Sequence, residues 1–83
     1  MKIYKIKFKK QAEKFLLSRT HKEKAQLLTA IYKLPDGVHI KKMEGYTNRY
    51  RLRVGDVRVI YEVHDDVLVI IVLKIGNRGD VYK

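Results

Sequence analysis

Tyr50-Arg51-Leu52-Arg53-Val54-Gly55-Asp56-Val57-Arg58-Val59-Ile60-Tyr61-Glu62-Val63 is two alternating apolar and polar runs joined by a glycine-led pair. Alternation of this kind is the mark of strands with one buried face, and a two-residue loop with glycine first suits a type II′ hairpin. The predicted strands are Arg49 to Val54 and Val57 to Val63. With Gly55-Asp56 as the loop, Val54 faces Val57, Arg53 faces Arg58, Leu52 faces Val59 and Tyr50 faces Tyr61. The two faces then separate. Tyr50, Leu52, Val54, Val57, Val59 and Tyr61 form an apolar face that belongs against a core. Arg49, Arg51, Arg53 and Arg58 share the other with Ile60 and Glu62. Like charges placed opposite one another cost some tenths of a kcal/mol to about 1 kcal/mol, so a sheet that keeps Arg53 beside Arg58 is expected to bind an anion. The competing reading is an ordinary solvated face, partly neutralised by Glu62 opposite Arg49.

Outward from the hairpin, His64-Asp65-Asp66 turns the chain into Val67 to Ile75, apolar on both faces and therefore predicted to be a central, doubly covered strand. Gly76 to Asp80 breaks it and leaves Val81-Tyr82-Lys83 as a short end. On the N-terminal side, Lys2 to Phe8 alternates, with Tyr4, Ile6 and Phe8 on one face, which predicts a half-exposed strand. Ala12, Phe15 and Leu16 then fall at helical spacing, giving a short helix from about Lys9 to Ser18. Thr20 followed three residues on by Glu23 is a capping box. Ala25, Leu28, Ile31 and Tyr32 mark the face of the second helix that it opens, ended by Pro35-Asp36-Gly37. Val38 to Thr47 lacks a period and reads as a loop. The predicted fold is α+β: one small domain over residues 1–83 with an N-terminal strand, a helical hairpin, then a three-stranded antiparallel meander packed on the helices.

Eighty-three residues hold one domain, and 46% apolar content with a single proline places the chain among globular proteins. It has no cysteine, which excludes disulfides and thiolate metal sites and suits a reducing, cytoplasmic setting. Its start, MKIYKIKFKK, has no apolar h-region, and the longest apolar run, Val67 to Leu73, is far short of the roughly 20 residues that span a bilayer. Neither a signal peptide nor a membrane span is expected. Nineteen Lys and Arg against nine Asp and Glu give a net charge of +10, the footprint of a polyanion binder. Residues 1–44 carry twelve basic groups, all Lys but Arg19, whereas five of the seven in residues 45–83 are Arg. Lysine suits loose attraction and arginine a defined grip on phosphate, so steering is expected from the first half and specific contacts from the second.

The chemistry available is narrow. His21, His39 and His64 are scattered without ligand spacing, so no metal site is expected. Ser18 is the only serine, and with no cysteine a nucleophilic triad is excluded. Five glycines spread singly through the chain form no phosphate-cradling loop. RNA cleavage survives this elimination because RNA carries its own nucleophile. The 2′-hydroxyl attacks the neighbouring phosphate, and a protein must hold that geometry, neutralise charge and move protons.

Lys42-Met43-Glu44-Gly45, the hairpin from Tyr50 to Val63, the acidic turn, the apolar strand and the closing Gly-x-Arg with a late tyrosine resemble the RelE/ParE superfamily of bacterial and archaeal toxins. The similarity covers the whole chain. RelE-type members cleave messenger RNA in the ribosomal A site, while ParE-type members poison DNA gyrase on the same fold. For the RelE branch, which is favoured, the resemblance implies catalytic roles for Arg51, Arg53, Arg58, Arg78 and Tyr82; Arg49, Lys41 and Lys42 are expected to bind RNA, and no cofactor or metal is expected. Arg51 and Arg53 stand where the best-known member of the family has lysines. Arginine stays charged and cannot be a general base, so both are assigned to phosphate binding and transition-state charge, and the base is left open. Arg58 would share that charge role, Arg78 would sit near the leaving oxygen, and Tyr82 would stack on or orient a base. The sequence ends at Lys83 without the further C-terminal helix of some members, which implies weaker or differently regulated activity. Implied partners are an acidic antitoxin, the ribosome and messenger RNA, with operator DNA met only through the antitoxin complex. A gyrase inhibitor and an inactive basic binding module are the alternatives.

Overall fold

The computed structural model describes residues 3–77. Seven elements follow in order: β1 (Lys5–Phe8), α1 (Lys10–Leu17), α2 (His21–Ile31), β2 (Ile40–Lys42), β3 (Arg49–Val54), β4 (Val57–His64) and β5 (Val69–Asn77). They build one five-stranded sheet in the order β1-β5-β4-β3-β2, with α1 packed against β5 and α2 reaching α1 and β3. The α+β class and the meander β3-β4-β5 match the expectation. The meander is extended at both edges: β1 joins it in parallel beside β5, with Lys5 facing Val69 and Phe8 facing Val72, and β2 runs antiparallel to β3.

The hairpin pairs as its alternation dictates, Arg49 with Glu62, Tyr50 with Tyr61, Arg53 with Arg58 and Val54 with Val57. Gly55 has φ of +60° while Asp56 is not left-handed, which is the type II′ arrangement. Leu52, Val59 and Tyr61 turn to the helices and join Ala12, Leu16, Leu27, Ile31, Ile70, Val72 and Ile75 in the core. Full burial of an aliphatic side chain contributes about 1.5–3 kcal/mol, so Ile31, Ile70 and Ile75, none of them exposed, anchor the two layers.

Three expectations need correction. Val38 to Thr47 is not wholly a loop, because Ile40–Lys42 forms the edge strand β2. Three residues are too few to show a period, and pairing with β3 supplies the order that local pattern lacks. The buried stripe of α2 runs through Leu27 and Ile31 to Leu34 beyond the helix end, whereas Ala25 and Tyr32 face solvent. Leu27, not Ala25, sets the phase because the larger side chain gains more by burial. The third concerns β5, which is not covered on both sides. Ile70, Val72 and Ile75 are buried, while Val69, Ile71 and Leu73 alternate with partial exposure on the face opposite the helices. The strand also runs on through Gly76 to Asn77.

Two polar devices hold the layers in register. Thr20 accepts a hydrogen bond from the Glu23 amide at 3.2 Å and caps α2 as its capping box predicts. Gln11 of α1 holds β5: its Nε2 donates to the Ile75 carbonyl at 2.9 Å and its Oε1 accepts from the Ile75 amide at 2.9 Å. Strand β1 pairs with β5 only as far as Val72, so this side-chain amide takes the place of a strand neighbour just past the point where the register shifts. Between Ile60 and Tyr61 the partner on β5 moves from Lys74 to Val72, leaving Leu73 as the extra residue of a bulge.

Candidate functional site

The face of the sheet turned away from the helices collects the hairpin arginines. Its rows follow from strand register. Lys41 faces Arg51, Arg51 faces Ile60 and Ile60 faces Lys74; one step along, Arg53 faces Arg58 and Arg58 faces Gly76. Opposed residues stand about 5 Å apart at their Cα atoms, so Arg53 and Arg58 hold two guanidinium groups over one patch, with Arg51 a single alternation away. Gly76 adds no side chain on the other flank of Arg58. Ile60 is 5% exposed yet stands outside the core cluster, an apolar floor between Arg51 and Lys74.

The arginines differ in what holds them. Among the described residues neither Arg53 nor Arg58 has an ion-pair partner. Arg58 is half-buried, and its Nε is shielded from solvent with no hydrogen-bond acceptor. A buried donor left unmade costs roughly 1–3 kcal/mol, a cost that an incoming oxyanion would relieve. Arg49 is differently placed. One of its terminal nitrogens donates to Glu62 Oε2 at 2.8 Å, and its guanidinium lies 4.1 Å from the centroid of the Tyr46 ring. Glu62 also meets His64 Nε2 at 3.1 Å through Oε1. The Arg49 hydrogen bond, outweighing partial burial, holds the Glu62 carboxyl below the usual carboxylate range, and the same bond raises Arg49 above its ordinary value. Tyr46, Arg49, Glu62 and His64 thus form a charge cluster at one end of the face, in which the Arg49 Nε, like that of Arg58, is buried without an acceptor, and Arg51, Arg53 and Arg58 lie beyond it.

The predicted residues therefore separate into groups. Arg51, Arg53, Arg58 and Lys41 come together on one face. Lys42 falls out of step, opposite Tyr50, although it joins Lys41, Met43, Glu44 and Arg51 around a shallow cavity of about 190 Å³ at the sheet edge. Arg49 shares the face but is engaged by Glu62 and Tyr46. Arg78 and Tyr82 lie outside the described residues. Sequence reasoning missed Tyr46 and His64 as members of the cluster. The i, i+2 spacing of Glu62 and His64 on a strand, which puts both side chains on one face, was the available signal for the second.

On the helix side of the hairpin, Tyr50 stacks on Tyr61 with ring centroids 5.7 Å apart and planes 20° apart. Burial, with Tyr50 nearby, pushes the Tyr61 hydroxyl well above the usual tyrosine range, so it stays neutral. Among the described residues no helix is long and apolar enough to cross a membrane.

Comparison with known proteins identifies the fold and the family. The RelE–RelB complex of the archaeon Pyrococcus horikoshii contains a chain 32% identical over 95% of this one and 99% of that one, with a TM-score of 0.76. A chain of the RelB–RelE antitoxin–toxin complex of Methanococcus jannaschii is 29% identical, covering 92% and 94%, with a TM-score of 0.73. The RelBE complex of Mycobacterium tuberculosis shares the fold at a TM-score of 0.78, with 19% identity over 96% of this chain and 97% of that one. No curated protein sequence matches the chain. The model of the ParE toxin of the type II toxin–antitoxin system matches residues 4–82. Nearly the whole chain is covered, and it belongs to the ParE toxin family, within the RelE/ParE superfamily of type II toxins.

Proposed function

We propose that this toxin is a ribosome-dependent messenger-RNA endoribonuclease whose working surface is the arginine face. The observation that carries the proposal is the facing of Arg53 and Arg58, neither ion-paired among the described residues, with the Arg58 Nε buried and without an acceptor. Such a patch suits a phosphate whose negative charge grows in the transition state. The RNA 2′-hydroxyl attacks the adjacent phosphorus, the bond to the 5′-oxygen breaks, and the products are a 2′,3′-cyclic phosphate and a 5′-hydroxyl. Arg51, Arg53 and Arg58 neutralise the phosphorane-like state, and Lys41 and Lys42 attract the backbone at the sheet edge. Arg49, held by Glu62, keeps RNA-binding capacity through the outer face of its guanidinium. Arg78 is assigned to the leaving oxygen and Tyr82 to base stacking, both from the family resemblance. No arginine accepts a proton at neutral pH, so the reaction depends on in-line geometry imposed by the ribosome.

The partner that restrains it is an antitoxin, as the RelB chains in the complexes of its relatives suggest, and the +10 charge of this chain calls for an acidic one. DNA is reached only through that complex, and the setting is the cytoplasm. The ParE family match favours a second reading, inhibition of DNA gyrase without nuclease chemistry. In vitro translation followed by primer extension on the message, run beside a supercoiling assay, separates the two. New 5′ ends at defined codons with supercoiling intact support the nuclease; intact message with arrested supercoiling supports the gyrase inhibitor.

A further inference from the structure

On the side of the sheet opposite the arginines lies a cavity of about 340 Å³ that no residue of either helix lines. Its walls are aromatic: three of the six tyrosines, Tyr4, Tyr50 and Tyr61, stand around it, the last two stacked, with Ile40 and Val63 completing the apolar surface. Its mouth is acidic. Asp65 lines it, is exposed, and accepts a hydrogen bond from the Tyr4 hydroxyl. That bond, reinforced by the charge of Asp65 and more weakly by that of Asp36, raises the Tyr4 pKa, so a second carboxylate bears on the same hydroxyl.

These two carboxylates are unusual in this chain. Lysine and arginine outnumber acids nineteen to nine, yet among the described residues neither Asp36 nor Asp65 has a cationic partner. The sheet thus has a cationic face and, behind it, an aromatic pocket with unneutralised acid at its rim. Tyrosine faces attract cations, apolar walls favour a hydrocarbon stem, and a carboxylate repels anions and disfavours a neutral apolar guest. A planar guanidinium satisfies all three better than an ammonium, because it stacks flat on a ring while its edge donates to a carboxylate. The volume lies near the lower end of small-ligand sites, about 300–1,000 Å³, which suits one side chain and not a cofactor.

We propose that this cavity receives the arginine side chain of a partner polypeptide. The guanidinium packs against the Tyr4 and Tyr50 rings and donates to the Asp65 oxygen that Tyr4 leaves open, and the stem lies along Ile40 and Val63. The inference is independent of the reading of the arginine face, since it uses the other side of the sheet and none of the same residues.

The test is an NMR titration with three probes: N-acetyl-arginine methylamide, its neutral isostere N-acetyl-citrulline methylamide, and free arginine. The blocked arginine should shift the amide signals of Ile40, Tyr50, Val63 and Asp65 saturably, with a Kd on the order of 1 mM for so small a probe. The citrulline compound should bind about fivefold more weakly or worse, as loss of a cation–π contact and a charged hydrogen bond requires. Asp65→Asn should abolish the response and Arg58→Ala should preserve it. Tyr4→Phe keeps the ring and frees Asp65, and should bind as well or better. Equal binding of the two isosteres, shifts that do not saturate, or loss of binding in Tyr4→Phe would overturn the proposal. So would free arginine binding about tenfold more tightly than the blocked form, which would make the cavity a receptor for the amino acid and not for a polypeptide.

Discussion

Arg58→Ala removes a guanidinium whose Nε is buried without a partner and which faces Arg53 across the hairpin. Relief of both features predicts a fold as stable as the parent or up to about 1 kcal/mol more stable. The proposed chemistry predicts the opposite for activity, a loss of roughly 10²–10³-fold, the scale of removing one donor to a developing oxyanion. Denaturant melts and growth arrest measured on the same variant check both halves; a variant that unfolds or stays fully toxic contradicts the assignment. Arg49 behaves differently because Glu62 holds it. The Glu62 carboxyl titrates below its ordinary value of 4.5 in the folded state, chiefly through the Arg49 hydrogen bond. A depressed folded-state pKa contributes stability above the unfolded value and loses it as pH falls through the folded one. Glu62→Gln should therefore destabilise at pH 7 by about 1 kcal/mol or less, with the difference from the parent shrinking as pH is lowered below about 4. Urea melts at pH 7 and pH 3 read this directly, and a difference that grows in acid would show that Glu62 is not held by Arg49.

At the scale of elements, legibility tracked the length and regularity of each pattern. Fourteen residues of clean alternation, Tyr50 to Val63, fixed the hairpin register and its arginine face from the sequence, and the structure pairs them the same way. Strand β2 was invisible because Ile40–Lys42 is too short for a period and takes its order from β3. In α2, Ala25 and Tyr32 mimic an apolar stripe that Leu27 and Leu34 displace. The parallel docking of β1 on β5 and the bulge at Leu73 depend on contacts between distant segments, which local periodicity does not encode. Gln11 is the sharpest such case, an ordinary helical residue by sequence that bonds both backbone groups of Ile75. Gln11→Leu should cost about 1–3 kcal/mol, since it leaves a part-buried amide and carbonyl without partners at the bulged end of β5. Hydrogen exchange should show the Ile75 amide losing protection ahead of Ile70 and Val72. Uniform loss along β5 would mean that Gln11 supports the layer packing and not this strand end.

For the whole molecule the dominant fact is charge: +10 on eighty-three residues, with Lys41, Arg51, Arg53 and Arg58 sharing one face of the sheet and further lysines spread over both helices. A restraining partner should be acidic, bind fast and weaken with salt, since the attraction is long-ranged and screened over roughly 10 Å at 0.1 M. Purification from the native operon tests this, and a strongly basic partner would contradict it. The central claim is that the arginine face promotes attack by the RNA's own 2′-hydroxyl on ribosome-bound message. The most direct measurement programs ribosomes with two otherwise identical messages, one carrying a 2′-deoxy sugar at the cleaved position, and maps the 3′ ends after adding the toxin. The account predicts cleavage of the all-ribose message to a 2′,3′-cyclic phosphate and none at the deoxy position; cutting of both messages at the same place would contradict it.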